Sequence, residues 1–353
     1  MRNETKRYVA YYLRQCLKPF LFILTVALVV TLVTCSVGRA DVYQYPADEQ
    51  WSTYYERVVI NLKLEIPAII AAVVSYMQVH YQLSVFKKRR NLDCYYSLPL
   101  SRKTLGVIHY LTGLGITLAT FTASVAVNLL TLIPTAVKYS PKIDYAYILL
   151  YFIISIITIS AQYSVLAFAF DRGNTAGDGR WMMALYTFLP ALTSGAVMAI
   201  LGTISNERYY GNGDGILPYY GANTANSFEK LALGNSLNNT YSFNLVLWTI
   251  LWTVLGAAAA IGFLLLFAKQ PTNKTEEISD SIFAYKTLIP AFVFLGLLNF
   301  NDVLELIPLI IISVLAVIGY VIYRRGFRLK RPDIISLGAS LLAAFIVGAW
   351  MSA

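Results

Sequence analysis

Few side chains in this sequence belong to the types that usually do chemistry. The chain has two histidines, His80 and His109, and three cysteines, Cys16, Cys35 and Cys94. No cysteine pair is spaced as CxxC, and neither HExxH nor GxSxG occurs, so the usual patterns of zinc, redox and serine-hydrolase sites are missing. We expect the two histidines to be polar residues near helix ends, and we predict no catalytic residue and no metal site.

A nucleotide-binding loop is also missing from the sequence. The phosphate loop GxxxxGK[ST], whose backbone amides and lysine hold nucleotide phosphates, has no match. We therefore expect that the chain is not an enzyme and that it binds no cofactor itself. If ATP drives this protein, a separate subunit must carry the ATP and the magnesium.

The stretch NLDCYYSLPLSRKTL, residues 91–105, has a specific pattern of another kind. Three of its side chains are spaced to share one face of a short helix: Leu92, Tyr95 and Tyr96. Pro99 disfavours the helical conformation of the residue before it, so this helix must stop there. Ser101 is then placed to cap a second helix that starts at Arg102. A short helix, a rigid corner and a long helix are predicted, an arrangement suited to passing on a movement.

The elements that must position this stretch are long apolar helices. Hydrophobic residues make up 57% of the 353 residues and charged residues only 13%, about half the charged fraction of a soluble domain. Several apolar runs reach about 20 residues, enough to cross the hydrocarbon core of a bilayer. The sequence therefore predicts an all-α, polytopic membrane protein. Nine spans are predicted, at residues 19–37, 58–86, 105–137, 146–170, 181–203, 243–268, 286–300, 303–323 and 334–352.

Basic residues predict how these spans are oriented, because Lys and Arg favour cytoplasmic loops. With the N-terminus in the cytoplasm, the cytoplasmic segments carry 21 of the 28 Lys and Arg residues. The net charge of +9 is then a sign of topology, and we predict no nucleic-acid partner. The span at 286–300 is short, but without it the five basic residues at 324–331 would lie outside. We keep this crossing, which puts the C-terminus outside the cytoplasmic membrane.

An amphipathic helix is predicted in residues 1–18, before the first span. Its apolar face consists of Val9, Tyr12, Leu13, Cys16 and Leu17. Arg7 and Arg14 fall on the opposite side of the helix. Such a helix can lie in the membrane interface, where its basic side meets anionic lipid or an acidic protein surface.

The order of second span, basic residues, short helix, SLPLSR and third span resembles the ABC-type export permeases of the type-2 family. Members commonly carry Leu-Pro-(Val/Ile/Leu)-(Ser/Thr)-Arg at this place, in the coupling helix that docks on the ATPase subunit. The matching residues here are Leu98, Pro99, Leu100, Ser101 and Arg102, and residues 91–97 form the preceding helix. The resemblance covers residues 1–268 well and 269–285 loosely.

The resemblance implies a permease subunit of an ATP-driven exporter for an amphipathic peptide, antibiotic or lipid-like molecule. Its partners are an ABC ATPase subunit, a second permease subunit and membrane lipid. The ATPase contact is expected at Asn91, Asp93, Tyr95, Tyr96, Leu98, Pro99, Ser101 and Arg102. The N-terminal helix resembles the connecting helix of the family, and KQPTNKTEEISDS at 269–281 is similar to its acidic cytoplasmic segment. A secondary contact is therefore expected at Arg7, Arg14, Glu276 and Glu277.

The resemblance also divides the chain. Residues 1–18 form the interfacial helix, residues 19–268 form a six-span core, and residues 204–242 form an outer loop within that core. FEKLALGNSL, at 228–237, is similar to the short helices that the family has near its exit gate. Most members have six spans, whereas residues 269–353 add about three more, so the resemblance assigns no role to this extension.

Polar residues inside the spans are the candidates for a transport pathway: Asn128, Thr131, Gln162 and Tyr163. Hydrogen bonds between helices explain these residues equally well. A secondary transporter or channel without an ATPase is the alternative function, although such transporters usually need ionisable groups at mid-membrane. The ionisable residues in question lie near predicted span ends: Lys63, Glu65, Asp302 and Glu305. Small residues at 256–260 and 338–339 suit close helix packing, within the chain or between subunits.

Overall fold

The computed structural model describes residues 2–46, 54–140, 143–205, 225, 228–233, 239–269, 277, 279, 281–299 and 306–352. Its helices are α1 (Arg2–Ser36), α2 (Glu65–Leu83), α3 (Arg89–Tyr96), α4 (Arg102–Tyr139), α5 (Tyr145–Arg172), α6 (Ala176–Ser205), α7 (Asn239–Phe267), α8 (Tyr285–Leu298), α9 (Leu306–Arg324) and α10 (Arg331–Ser352). Two strands, β1 (Ala40–Pro46) and β2 (Tyr54–Ile60), come between α1 and α2 in the chain.

Seven helices within the described residues are long and apolar enough to cross a membrane: α1, α2, α4, α5, α7, α9 and α10. The other two predicted spans coincide with the 30-residue α6 and the 14-residue α8. Many large apolar side chains of α1, α9 and α10 are exposed, which water disfavours and hydrocarbon does not. The chain is an all-α polytopic membrane protein, as predicted, and the described residues also include a β-hairpin.

The hairpin corrects the predicted start of the second span. That span was expected to begin at residue 58, but β2 runs to Ile60 and α2 begins at Glu65. The two strands pair antiparallel, with Ala40 opposite Ile60. The β2 segment, YYERVVI, is rich in aromatic and β-branched residues, which favour strands. Hydrophobicity alone could not separate its apolar end from the helix that follows.

The predicted interfacial helix and the first span form one continuous helix. α1 has 35 residues and contains Pro19 without interruption. A helix of this length extends about 52 Å, well beyond the ~30 Å hydrocarbon core. α1 packs against α4, where Tyr12 and Cys16 are buried beside Ile108. Leu13, predicted on the same apolar face, is half exposed, so the packed face is narrower than the sequence suggested.

The contacts within the chain define two compact units. The first consists of Met1–Val79, Pro99–Ser164 and Tyr219–Ile261, and the second of His80–Leu98, Val165–Pro218 and Gly262–Ala353. The predicted six-span core, residues 19–268, contributes to both units. The division of the chain into a core and a C-terminal extension at residue 268 stays a prediction.

The core of the first unit lies around α4 and α5. Phe121 of α4 stacks on Phe152 of α5, with ring centroids 5.8 Å apart. Residues 228–232 are helical, and their Phe228 and Ala232 are buried in the same core. A short helix was predicted at this place in the outer loop, and its first residues confirm that prediction.

The second unit is organised around α8, the shortest of the predicted spans. α6, α9 and α10 all pack against it, and both its first residue, Tyr285, and its last, Leu298, are buried. Asn299 follows the helix and donates to the Leu192 carbonyl of α6 at 2.9 Å. At about 21 Å, α8 is shorter than the hydrocarbon core, and packing against three neighbours stabilises it in place of lipid.

Candidate functional site

The segment between α2 and α4 is a short helix with a bend on each side. α2 continues into a 3₁₀ turn, Ser84–Lys87, and Lys88 is extended, with φ −117° and ψ 123°. α3 follows, and residues 97–101 after it are not helical. Ser101 caps α4, because its side chain accepts the backbone N–H of Thr104 at 3.1 Å. The predicted order of short helix, corner and serine cap is confirmed.

α3 is held in place by aromatic packing. It has eight residues, too few for a helix that is stable alone. The Tyr95 ring lies 5.4 Å from the ring of Phe86 in the 3₁₀ turn. Phe86 is buried and meets the ring of Phe267, the last residue of α7, edge-on at 5.2 Å. These contacts join α3 to the end of α7.

A buried group of ions lies beside α3. Lys87 is 4% exposed, Asp171 1% and Arg172 8%. The Lys87 Nζ donates to the Asp171 backbone carbonyl at 2.9 Å and lies 3.5 Å from the Asp171 carboxylate. The Arg172 guanidinium pairs with the same carboxylate. Two buried cations therefore share one buried anion, and we call these three residues the Lys87 cluster.

The Lys87 cluster closes the C-terminal end of α5. The last carbonyls of a helix lack donors within the helix and carry partial negative charge. Lys87 supplies a donor and a positive charge to one of them, and Ser279 Oγ donates to the Arg172 carbonyl at 2.6 Å. Gly173 follows, and an added Cβ there would lie 2.4 Å from the backbone nitrogen of Gly179. The turn from α5 to α6 therefore requires glycine at this position.

The residues predicted to contact an ATPase run from α3 through the corner to the start of α4: Asn91, Asp93, Tyr95, Tyr96, Leu98, Pro99, Ser101 and Arg102. Pro99 and Ser101 are exposed. The side chains of Asp93 and Tyr96 are outside the described part of the structure. The role of this set as an ATPase contact stays a prediction.

One predicted secondary contact lies beside α3. The Glu277 carboxylate is 4.0 Å from the Arg89 guanidinium, and both side chains are more than half exposed. Glu276 is outside the described residues. Arg7 and Arg14 are exposed on α1, in the other unit. The structure thus brings Glu277 to the first residue of α3, and the contact predicted at Arg7 and Arg14 stays a prediction.

Two candidate pathway residues, Asn128 and Thr131, are bonded to Arg39. The Arg39 side chain is buried and donates to the Leu62 carbonyl at 2.6 Å, the Asn128 carbonyl at 2.8 Å and Thr131 Oγ1 at 2.6 Å. It also donates to the Asn128 side chain. Arg39 follows α1, and Leu62 precedes α2. The two pathway candidates therefore have a structural use in joining these elements to α4.

An acidic residue, Glu229, lies near Arg39. One Glu229 carboxylate oxygen accepts the backbone N–H of Leu62. Burial raises the pKa of Glu229 above its ordinary value, and hydrogen bonds from the backbone act in the opposite direction. Burial lowers the pKa of Arg39, while attraction to Cys35 and Glu229 opposes that shift. Both side chains are thus partly removed from water, and a negative charge on Glu229 attracts the positive charge of Arg39.

The other two pathway candidates, Gln162 and Tyr163, are buried in α5. The Tyr163 ring meets the ring of Tyr110 edge-on, with centroids 5.4 Å apart. Within the described residues the Tyr163 hydroxyl has no hydrogen-bond partner. A buried hydroxyl without a partner costs free energy, so this group is available to a water or to a bound polar molecule.

His109 joins α1 to α4 and is fully buried. Its Nε2 lies 3.1 Å from the Tyr8 hydroxyl and its Nδ1 lies 2.8 Å from the Tyr12 hydroxyl. His80 meets Phe170 edge-on at 5.8 Å. In the part of the chain that the structure describes, no group of three or more His, Cys, Asp or Glu side chains could hold a metal ion.

The residues of the Lys87 cluster and Arg39 are not among the site residues predicted from the sequence. All were counted only as charges that indicate topology. Lys87 opens a run of four basic residues and nothing local distinguishes it from Lys88, which is exposed. Arg39 carried one usable signal, since it is a basic residue directly after an apolar run on the side predicted to be poor in basic residues.

Comparison of the chain with protein-family models, with curated proteins and with solved structures finds no match.

Proposed function

We propose that this protein is the membrane-spanning permease subunit of an ATP-driven exporter of the ABC type. The observation that carries the proposal is α3, a short helix between two candidate spans, bounded by the extended Lys88 and by the capped corner at 97–101. A segment that only connected two spans would not need a helix fixed by aromatic packing. In an exporter, α3 receives the movement of a separate ATPase subunit.

In this proposal α3 faces the cytoplasm, with the N-terminus on the same side and the C-terminus outside the cell membrane. Charge supports the orientation. Exposed basic residues precede and open α3, occupy the turn between α9 and α10, and open α10: Lys88, Arg89, Arg90, Arg325, Arg328, Lys330 and Arg331. Contacts from Lys87 through Ser279 to Tyr323 bring these two basic segments to one end of the second unit. Basic residues at one end are typical of the cytoplasmic side.

The proposed mechanism transmits force through a capped helix start. When two ATPase subunits close on ATP and magnesium, they displace α3, and the chain at 97–101 passes the displacement to α4. The Ser101 cap stabilises the first turn of α4, so that the movement is not lost by fraying. A second permease subunit completes the path. The pair changes state only if it binds the ATP-loaded subunits with different affinity in its two conformations.

The proposed cargo is an amphipathic peptide, antibiotic or lipid-like molecule. Tyr163 and Gln162 are the better pathway candidates, because Asn128 and Thr131 already bond to Arg39. The Tyr163 hydroxyl, which has no hydrogen-bond partner among the residues that the structure describes, offers one polar contact to such a molecule. One such group orients an amphipathic molecule without binding it tightly.

Co-purification from the native cell membrane tests the proposal. The wild-type protein should retain vanadate-sensitive ATP hydrolysis, and Arg102→Glu should lose it because Arg102 starts α4 next to the corner. The matched control is Lys138→Glu, which reverses a charge in the last turn of the same helix and should retain the activity. Transport by the isolated chain in proteoliposomes without ATP would contradict the proposal and support a secondary transporter or channel.

A further inference from the structure

A continuous polar chain runs from the base of α3 to the C-terminal helices. Lys87 Nζ donates to the Asp171 carbonyl, and the Asp171 carboxylate pairs with Arg172. The Arg172 carbonyl accepts Ser279 Oγ at 2.6 Å, and the Ser279 carbonyl accepts the Tyr323 hydroxyl at 3.3 Å. All five residues belong to the second compact unit, and they come from four separate parts of the sequence.

Every residue of this polar chain is buried. Ser279 is 1% exposed and Tyr323 2%, like the residues of the Lys87 cluster. Because these groups are buried, a hydrogen bond broken in the polar chain is not readily replaced by one to water, and its loss costs free energy. A displacement at one end therefore has to be accommodated by rearrangement of the other members.

The Tyr323 end of the polar chain lies where the start of α8, the end of α9 and the start of α10 come together. Tyr323 lies in the last turn of α9, and its ring packs on Tyr285, the first residue of α8, with centroids 5.0 Å apart. The next residue, Arg324, holds Asp333 in the first turn of α10 through two hydrogen bonds, of 2.7 and 2.9 Å. The near end of the chain lies two residues before α3 and next to Phe86, on which Tyr95 packs.

We propose that Lys87, Asp171, Arg172, Ser279 and Tyr323 are positioning residues that couple α3 to the C-terminal helices α8, α9 and α10. This assigns a role to a part of the chain that the resemblance left without one. The C-terminal helices stabilise the position of α3, and a shift of α3 changes the packing of these helices. The coupling itself is independent of any partner, while its use in setting how an ATPase drives transport rests on the proposed function.

A spin label at position 97 measures the coupling in the protein alone. Ser97 is exposed directly after α3, and Ser97→Cys on a background lacking Cys94 carries the label in the full chain, reconstituted in lipid nanodiscs. Ser279→Ala and Tyr323→Phe should each raise the mobile fraction of the label at least twofold. Tyr323→Phe removes one oxygen atom only, so it still tests the proposal if Ser279→Ala does not fold.

A second hydrogen bond in the same helices provides the matched control. The Tyr320 hydroxyl and Ser336 Oγ lie 2.6 Å apart, and this pair is one turn away on α9 and outside the polar chain. Tyr320→Phe and Ser336→Ala should leave the label at position 97 unchanged. The proposal is wrong if the mobility of the label stays unchanged in both Ser279→Ala and Tyr323→Phe, or if the two control variants change it equally.

ATP hydrolysis separates this inference from the proposed function. If the complex with an ATPase exists, Tyr323→Phe should leave the ATPase bound but change its hydrolysis rate severalfold, and Tyr320→Phe should not. If an ATPase is bound but the label at position 97 does not respond to the variants, the coupling alone is wrong. If the label responds but the protein never retains an ATPase, the coupling is supported and the proposed function is wrong.

Discussion

The Lys87 ammonium nitrogen lies 2.9 Å from the carbonyl oxygen of Asp171, the penultimate residue of α5. The Lys87 side chain, two residues before α3, thus caps the C-terminal end of α5, at a residue 84 positions later in the sequence. The cap is also an ion pair, because the Asp171 carboxylate lies 3.5 Å from the same nitrogen. The two elements cannot separate without leaving a buried charge and a helix end uncompensated.

The balance of charge in the Lys87 cluster predicts an unequal response to mutation. Asp171→Asn leaves two buried cations without their anion, and we expect a loss of about 3–5 kcal/mol in the free energy of unfolding. Lys87→Met removes one cation and leaves the pair of Asp171 and Arg172 intact, so about 1–3 kcal/mol is expected. Thermal melting of the purified protein in detergent gives the order of the two variants.

Lys88→Met is the control for this comparison, since Lys88 adjoins Lys87 in the sequence but is exposed. Its melting temperature should match that of the wild type. A Lys87→Met variant that melts below Asp171→Asn would show that the charges are not shared as described.

The Ser101 cap predicts a local effect at the start of α4. Ser101→Ala removes the acceptor of the Thr104 N–H, which costs about 1 kcal/mol at a helix N-terminus. Hydrogen exchange at residues 102–105 should therefore accelerate about fivefold. Ser101→Asp retains an acceptor and should exchange like the wild type, as should Ser97→Ala, which leaves the cap in place. Equal exchange in the alanine variant would mean that the cap contributes no stability.

Two glycines in candidate spans should respond in opposite ways to alanine. An added Cβ on Gly256 of α7 would lie 2.3 Å from Ala161 Cβ and 2.4 Å from its Cα, so α7 and α5 would have to move apart. We expect a loss of about 1–3 kcal/mol. An added Cβ on Gly338 meets nothing within 4 Å, and higher helix propensity should stabilise α10 by up to about 1 kcal/mol. Melting temperatures of both variants in one detergent test this difference.

Glu229 predicts a dependence of stability on pH. Burial raises the pKa of Glu229 in the folded protein above the ordinary value of 4.5. The protonated side chain therefore contributes its full stability to the fold below pH 4.5, and this contribution is lost as the pH rises through the raised pKa. Glu229→Gln keeps an oxygen for the Leu62 N–H and removes the charge. The variant should gain in melting temperature relative to the wild type between pH 4.5 and neutral pH.

The groups around Glu229 limit the size of this effect. Arg39 attracts the charged form, whereas Glu65 repels it. Glu277→Gln, which changes an exposed carboxylate, serves as the control and should show no such gain. The prediction is wrong if the melting temperatures of Glu229→Gln and the wild type differ by the same amount at every pH in this range.

The segment around α3 was predictable because its signals are local. Pro99 restricts the residue before it and Ser101 caps the residues after it, whatever the rest of the chain does. The hairpin was missed for the converse reason. Its antiparallel register joins Ala40 to Ile60 across twenty residues, and hydrophobicity reports that a segment is apolar without reporting what it pairs with.

The packing of Gly256 shows the same limit. Small residues suit close packing within a chain or between subunits, and only the position of Ala161 shows that the contact of Gly256 is internal. Asn128 and Thr131 were selected as polar residues within a span, but their partner, Arg39, lies 89 and 92 residues earlier in the chain, respectively.

The sequence by itself determined the class of the protein, the helices that overlap the nine predicted spans, and the capped corner before α4. These properties follow from composition, from apolar run length and from interactions over a few residues. The tertiary structure alone decided that Lys87 is buried while Lys88 is exposed, that Arg39 holds Asn128, and that Ser279 and Tyr323 connect the C-terminal helices to the base of α3. The physical reason is that the free energy of a charge depends on its distance from water and from its partners, and distant parts of the chain set both distances.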